Sequence, residues 1–277
     1  MAGRRDLPVK PPAGPVVRPI EKHLQIADAS ATRLPECVNS RVWSGTQGCQ
    51  YSTVSRRLRN EEDALSVRPE AGSNVATLPP TGSVAGRPFA AAVRTRSDAG
   101  VMREMLSRER VVARVWAEER ATGGWTGKYR SDRRHHWLAV PDREALVAAK
   151  QATAVGFFGQ RREDVDHTEL FALEQEIVDG LAAYAAAGLL SYYNMRRRNG
   201  RYGNLILFRT RDVPQAWRTN PVHERAVTIA PRHYHSVRLH KGSVPGNWLE
   251  DGELTIEQTR YFDFDGDDIW RAFRRFV

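Results

Sequence analysis

The sequence predicts an α+β protein, a mixed sheet carrying helices, preceded by a long tail. Three observations predict it. Composition changes abruptly near residue 108. One strongly amphipathic helix follows a short apolar strand. A hairpin signal is then followed by a second helix and a further strand.

Residues 1–108 hold ten of the 15 prolines and a net charge of +6 out of +9. Stretches such as "VKPPAGPVVRP" and "TLPPTGSVAGRP" show no sustained period and bury too little apolar surface to offset chain entropy. Residues 1–108 are therefore expected to be a disordered basic tail. Residues 109–277 are expected to be the folded domain, roughly 170 residues and an ordinary single-domain size. Met102 and Met105, just ahead of it, are candidate starts of the natural chain. The tail's arginines are scattered rather than clustered, so nucleic acid is not the expected partner. Cys37 and Cys49 both lie in the tail without a CxxC, which excludes a disulfide scaffold and thiolate metal sites in the domain. No apolar run is long enough to span a bilayer, and "MAGRRDLPVKPP" has charge but no hydrophobic region. A cytoplasmic protein without membrane contact is the expectation.

Within the domain, "RVVARVW" (110–116) alternates and is β-branched, so it reads as a strand. "GGWTGKYRSDRRHH" (123–136) reads as a basic, aromatic loop, "HWLAVP" as a strand, and "PDREALVAAKQA" as a short helix. "TAVGFFGQ" (153–160) is an apolar strand. Leu170, Leu173, Ile177, Val178, Leu181 and Tyr184 then recur at helical spacing. Asp166 and Glu169 make a capping box, and Gly188 suits a C-terminal cap, so the helix is expected over 168–187. "LLSYYNMRR" and "NLILFR" flank "NGRYG" as a hairpin. A helix begins near Asp212, restarts at Asn220-Pro221 and is stopped by Pro231. "HSVRLH" and "LTIEQTRYFDF" are strands separated by a long loop, and "IWRAFRRF" is expected as a closing helix.

From residue 153 the order is β-α-β-β-α-β with an added strand, the ferredoxin-like split arrangement. Helices cover one face of such a sheet. The other face is expected to meet a second sheet, from a homodimer partner or a degenerate repeat, forming a two-sheet barrel with a pocket inside.

This order, with "GGWTGKYR", "YYNMRRRNGRYGN", "AWRTNPVHERA" and "SVRLH", resembles the dimeric α+β barrel superfamily. Its members include the antibiotic-biosynthesis and haem-degrading monooxygenases. Locally the motifs resemble the haem-containing aldoxime dehydratases. The resemblance implies monooxygenase-like oxidation of a small apolar or aromatic molecule. A haem-dependent lyase and a non-catalytic binding module are the alternatives. The chain departs from both families: the first strand "AVGFFGQ" lacks the Asn of the haem-degrading members, and "FRTR" lacks the His that follows the hairpin in the dehydratases. Haem binding therefore stays open, and an iron ligand would have to come from elsewhere.

Period 2 on the strand at 234–240 separates Tyr234, Ser236, Arg238 and His240 from His235, Val237 and Leu239. Val237 and Leu239 match the helix-covered face, which sends Arg238 and His240 toward the pocket. Arg238 could hold a carboxylate, and His240 could move a proton. His223, beside Val222, Ala226 and Ile229, is the third catalytic candidate. Trp217, Ser236 and one of Tyr193 and Asn194, which point to opposite faces, are the candidate substrate-binding residues. The plainer readings are a polar edge strand, a border histidine and a core tryptophan. "HYH" (233–235) has no carboxylate or cysteine to complete a metal site, and "DFDGDD" lacks calcium-loop spacing. No nucleophile elbow, phosphate-binding glycine loop or dinucleotide fingerprint is present. "GKYRSDRRHHW" interleaves basic and aromatic residues as nucleic-acid surfaces do, and a loop folding over an acidic ligand explains the pattern at least as well.

Overall fold

A computed structural model describes residues 75–131, 133–196, 202–250 and 252–276. In chain order the elements are β1 (Val75–Leu78), α1 (Ala92–Glu119), β2 (Trp125–Ser131), β3 (Arg134–Val140), α2 (Arg143–Ala148), β4 (Ala152–Arg161) and α3 (Thr168–Asp179). They continue with β5 (Leu189–Arg196), β6 (Tyr202–Phe208), α4 (Gln215–Arg218), α5 (Pro221–His233), β7 (Tyr234–Val244), β8 (Thr255–Asp263) and β9 (Trp270–Arg275).

Helix α1 overturns two expectations at once. Residues 75–108 are not a tail but part of the fold, and "RVVARVW" is the end of a 28-residue helix rather than a strand. Met102, Met105, Leu106, Glu109, Val112, Ala113 and Trp116 are all buried, at spacings of three and four. Cut at residue 110, the same residues look alternating. The expected boundary fell in the middle of the helix and hid its period. The rest of the expected tail, residues 1–74, lies outside the described residues.

Most of the later elements form where expected. Asp142 caps α2 by accepting from the Ala145 amide (3.1 Å), and Asn220 caps α5 by accepting from Val222 (2.9 Å). Helix α3 is shorter than expected: it ends at Gly180 and a 3-10 turn, Leu181–Tyr184, continues to Gly188. Pro231 lies inside α5 rather than ending it. "GGWTGKYRSDRRHH" forms the β2–β3 hairpin instead of a loop. "IWRAFRRF" becomes β9 because it can pair on both sides, with β8 antiparallel and with β1 parallel. So short a segment is marginal as an isolated helix.

The nine strands of the described residues belong to one open sheet, in the order β1-β9-β8-β7-β4-β6-β5-β3-β2. Its middle, β7-β4-β6-β5, is antiparallel throughout, with α3 linking β4 to β5 and α5 leading into β7. There is no second sheet among the described residues. The face expected to meet one is filled by α1 and α2, whose Met102, Met105, Leu106, Trp116 and Leu146 pack on Leu138, Ala154, Phe158, Tyr193, Leu205 and Leu207. Gly156 lets α1 approach: a Cβ there would lie 2.6 Å from the Met102 sulfur. Helices α3 and α5 cover the opposite face through Ile177, Val178, Leu170 and Ile229. The sheet is thus a middle layer between two helical ones.

Buried Arg274 ties the N-terminal segment down. It donates to the carbonyls of Pro79 and Ala90, the latter at 2.9 Å, and to the Tyr261 hydroxyl at 3.2 Å. No described helix is long and apolar enough to cross a membrane.

Candidate functional site

Alternation on β7 holds as expected from Ser236 onward, but the face it leads to differs. Val237 packs with Leu170 and Tyr234 under α5, and Leu239 lies against the same cluster. Arg238 and His240 point to the other face and meet Asp98 of α1. Arg238 Nε donates to Asp98 Oδ2 at 2.5 Å and Nη2 to Oδ1 at 3.2 Å. His240 Nε2 donates to Oδ2 at 3.1 Å, while its Nδ1 accepts from the Thr259 hydroxyl at 2.8 Å. Burial pushes the Asp98 carboxyl up, but the His240 hydrogen bond and the Arg238 charge reverse this and hold it below its ordinary range. Burial lowers the pKa of His240, so the ring is held neutral. The two residues expected to face a pocket are instead two arms of a buried ion cluster. Ser236 is buried on β7 too, and its hydroxyl has no hydrogen-bond partner.

Tyr234 leaves its expected set. The β4–β7 register shifts between Gln160 and Arg161, and the Tyr234 ring lies across Gly159, whose absent Cβ would be 2.3 Å from it. His235 is not packed under the helices. It is half-exposed, 2.8 Å from Asp265. His233 ends α5 in a chain of hydrogen bonds: Arg232 donates to its Nε2 (3.2 Å), its Nδ1 donates to His167 Nδ1 (3.1 Å), and His167 Nε2 donates to the Arg162 carbonyl (2.8 Å). The carbonyl can only accept, which fixes the direction of the chain. Burial, then the Arg232 charge, bring His233 down to about 4.

A cavity of about 370 Å³ lies between the sheet and helices α3 and α5. Its floor includes Val155, Phe157, Ile206, Val237 and Leu239, and α5 roofs it with Ala226, Val227 and Ala230. One end is polar. Glu174 of α3 accepts on Oε1 from Tyr202 Oη and from Asn194 Nδ2, both at 2.5 Å. The single Tyr202 hydroxyl proton is shared between Glu174 Oε1 and Asn194 Oδ1 (2.6 Å), and Asn194 Oδ1 also accepts from Asn204 Nδ2 (2.5 Å). Burial raises the pKa of Glu174 despite these donors. Burial, followed by the nearby Glu174 charge, likewise raises Tyr192 and Tyr202. Tyr234 is pushed up to about 12, again mainly by burial. All three phenols therefore stay protonated. Arg161 closes this end, its guanidinium 4.7 Å from the Tyr202 ring centre and 4.8 Å from that of Phe171.

Of the expected substrate-binding residues, Asn194 faces this side and supports the polar end. Tyr193 faces α1, bonded to Tyr129 (2.6 Å) and His136 (3.1 Å). Trp217 lines the cavity, buried among Tyr184, Tyr192 and Phe208. His223 lines it as well, with its ring 5.8 Å from the Trp217 ring. The catalytic trio does not converge: His223 is on the cavity side of the sheet, and Arg238 and His240 point to the other. Several groups of the β2–β3 hairpin are engaged within the protein. Lys128 sits 3.8 Å over the Trp137 ring, Tyr129 stacks on His136, and Arg134 pairs with Glu104.

The residues do not fit a haem. His223 packs on Trp217, Arg238 and His240 are committed to Asp98, and the cavity is at the small end of the range for ligand pockets. No family model, no curated protein and no solved structure matches this chain.

Three residues that shape these sites escaped the sequence reading. Glu174 was legible: it interrupts the apolar row Leu170, Leu173, Ile177, Val178, and a carboxylate inside a core stripe is a signal in itself. Asp98 was hidden by the misplaced tail boundary. Arg260, which lines the cavity from β8, had only strand alternation to mark it.

Proposed function

We propose that this chain binds a small, largely apolar or aromatic molecule in the cavity under α5. The observation that carries the reading is the pairing of an apolar chamber with one convergent polar end, Glu174 with Tyr202 and Asn194. Such a combination is what ligand sites share, a greasy wall for affinity and a few fixed polar groups for orientation. Glu174 is held toward its protonated form, so it can give a proton to, or take one from, a ligand placed against it. The monooxygenase-like oxidation implied by the resemblance has no supporting donor set in the cavity.

The reading is tested with an environment-sensitive apolar dye. The native protein should enhance its emission. Ile206→Trp, which fills the chamber floor, should abolish the enhancement while leaving the circular dichroism spectrum unchanged. Equal enhancement by the filled variant would remove the cavity as the binding site.

A further inference from the structure

The polar end of the cavity holds more hydrogen-bond acceptors than donors. Among the described residues, both hydrogen bonds to Glu174 end on Oε1, from Tyr202 Oη and Asn194 Nδ2, and Oε2 receives none. Asn204 keeps its Nδ2 on Asn194 at 2.5 Å, and its buried Oδ1 has no hydrogen-bond partner. The hydroxyls nearby are engaged elsewhere. The Tyr202 proton lies between Glu174 and Asn194, and the Tyr192 hydroxyl is turned to Asn194 and Tyr202. An enclosed acceptor without a donor is costly, and a donor carried in by a ligand removes that cost.

No further charge is called for at this end. Burial raises the Glu174 pKa, while the Tyr202 hydrogen bond and the charges of Arg161, Lys128 and Arg196 oppose the rise. With three cations already offsetting the carboxyl, an ammonium head would meet like charge, and a carboxylate head would meet Glu174 itself. A neutral O–H group suits both. Tyr202 shows the fit: its phenol reaches Glu174 at 2.5 Å, the length of an O–H bond to a carboxylate. From Asn204 the floor continues through its direct partner Phe157 on β4 to Leu239 on β7, two strand spacings or about 10 Å. Both line the chamber, so a ligand held by Glu174 lays its body on apolar surface.

We infer that the cavity takes a small neutral hydroxyl compound, an alcohol or a phenol, whose O–H donates to Glu174 Oε2 and whose apolar body lies along Phe157 and Leu239. This assignment rests on the binding site proposed above and adds the class and orientation of the ligand. An ether of the same size cannot make that bond, because its oxygen only accepts. In an apolar chamber without such an acceptor the ether would bind at least as tightly, since burying an unpaired hydroxyl is unfavourable.

Two isomer pairs, titrated calorimetrically into the native protein, test this: octanol against heptyl methyl ether, and para-ethylphenol against para-methylanisole. Within each pair the hydroxyl compound should bind about tenfold tighter than the ether. The pair holding the tighter ligand tells an aliphatic body from an aryl one. Octylamine and octanoate should both bind more weakly than octanol. In Glu174→Gln the two members of each pair should bind equally. Asn194 Nδ2 keeps the amide oxygen at the Oε1 place, so the ligand meets an amide N–H, from which alcohol and ether alike can accept. Ethers binding the native protein as tightly as their isomers, or a charged probe binding best, would overturn the inference and leave the cavity reading standing. A hydroxyl preference that survives in Glu174→Gln would overturn its placement at Glu174. Binding of none of the probes, together with no dye enhancement in the native protein, would overturn both.

Discussion

Arg238 grips Asp98 from 140 positions away, with Nε 2.5 Å from one carboxylate oxygen and Nη2 3.2 Å from the other. The contact spans α1 and β7, and His240 completes it from the same strand. It joins the helix packed on one sheet face to the strand that floors the cavity on the other.

Removing the carboxylate leaves a largely buried guanidinium, 13% exposed, without its anion. Asp98→Asn should therefore cost about 3–5 kcal/mol in urea unfolding at pH 7. Replacing both partners, Asp98→Asn with Arg238→Met, should recover part of that loss. Asp98 is depressed below 3.8, so its contribution is present above that pH and is lost as pH falls through the folded value. A single-variant loss below about 1 kcal/mol would show the cluster to be solvated in solution.

Glu109 of α1 titrates in the opposite sense. It is 0% exposed, and burial pushes it up to about 7 although the Ser191 hydroxyl and the Arg110 charge oppose the shift. A raised carboxyl stabilises the fold at low pH and costs stability as pH rises from 4.5 through 7. The stability difference between Glu109→Met and the native chain should shift toward the variant by about 3 kcal/mol between pH 4.5 and pH 8. A difference independent of pH would place the carboxyl in water.

Gly159 and the Tyr234 ring share a space too small for a side chain. Gly159→Val should drive the ring into the cavity, lowering stability by about 1–3 kcal/mol and abolishing dye enhancement. Unchanged enhancement would mean that Tyr234 has room to turn elsewhere.

The N-terminal boundary is open to a direct check. A chain begun at Val75 keeps β1, the Arg274 partners and all of α1. A chain begun at Met105 loses Asp98, Met102 and the carbonyls of Pro79 and Ala90. The first should unfold cooperatively and the second should not, as read by thermal melting. Equal melting of the two would show that α1's first half does not hold the fold.

Elements with a full period of their own were legible in the sequence. Leu170 to Leu181 declares α3, Asn220-Pro221 declares the start of α5, and the paired runs around "NGRYG" declare two strands. The split of Val237 and Leu239 from Arg238 and His240 was legible too, because side chains on a strand must alternate. Helix α1 was not, since prolines upstream and a boundary drawn through its middle concealed a period that only its full length reveals. Strand β9 was not, since a six-residue run is a strand or a helix according to whether neighbours offer a ladder.

By itself, then, the sequence determined which residues share a face. The tertiary structure decided what each face meets. Arg238 and His240 share a face by local geometry, but whether that face opens on a pocket or on Asp98 depends on where a helix about 140 residues away docks. Glu174, Tyr202 and Arg260 likewise become one cavity wall only when β4 and β7 pair and bring β6 and β8 to either side of them. Periodicity is a property of neighbours along the chain. A site is a property of neighbours in space, and long-range pairing and burial alone create those.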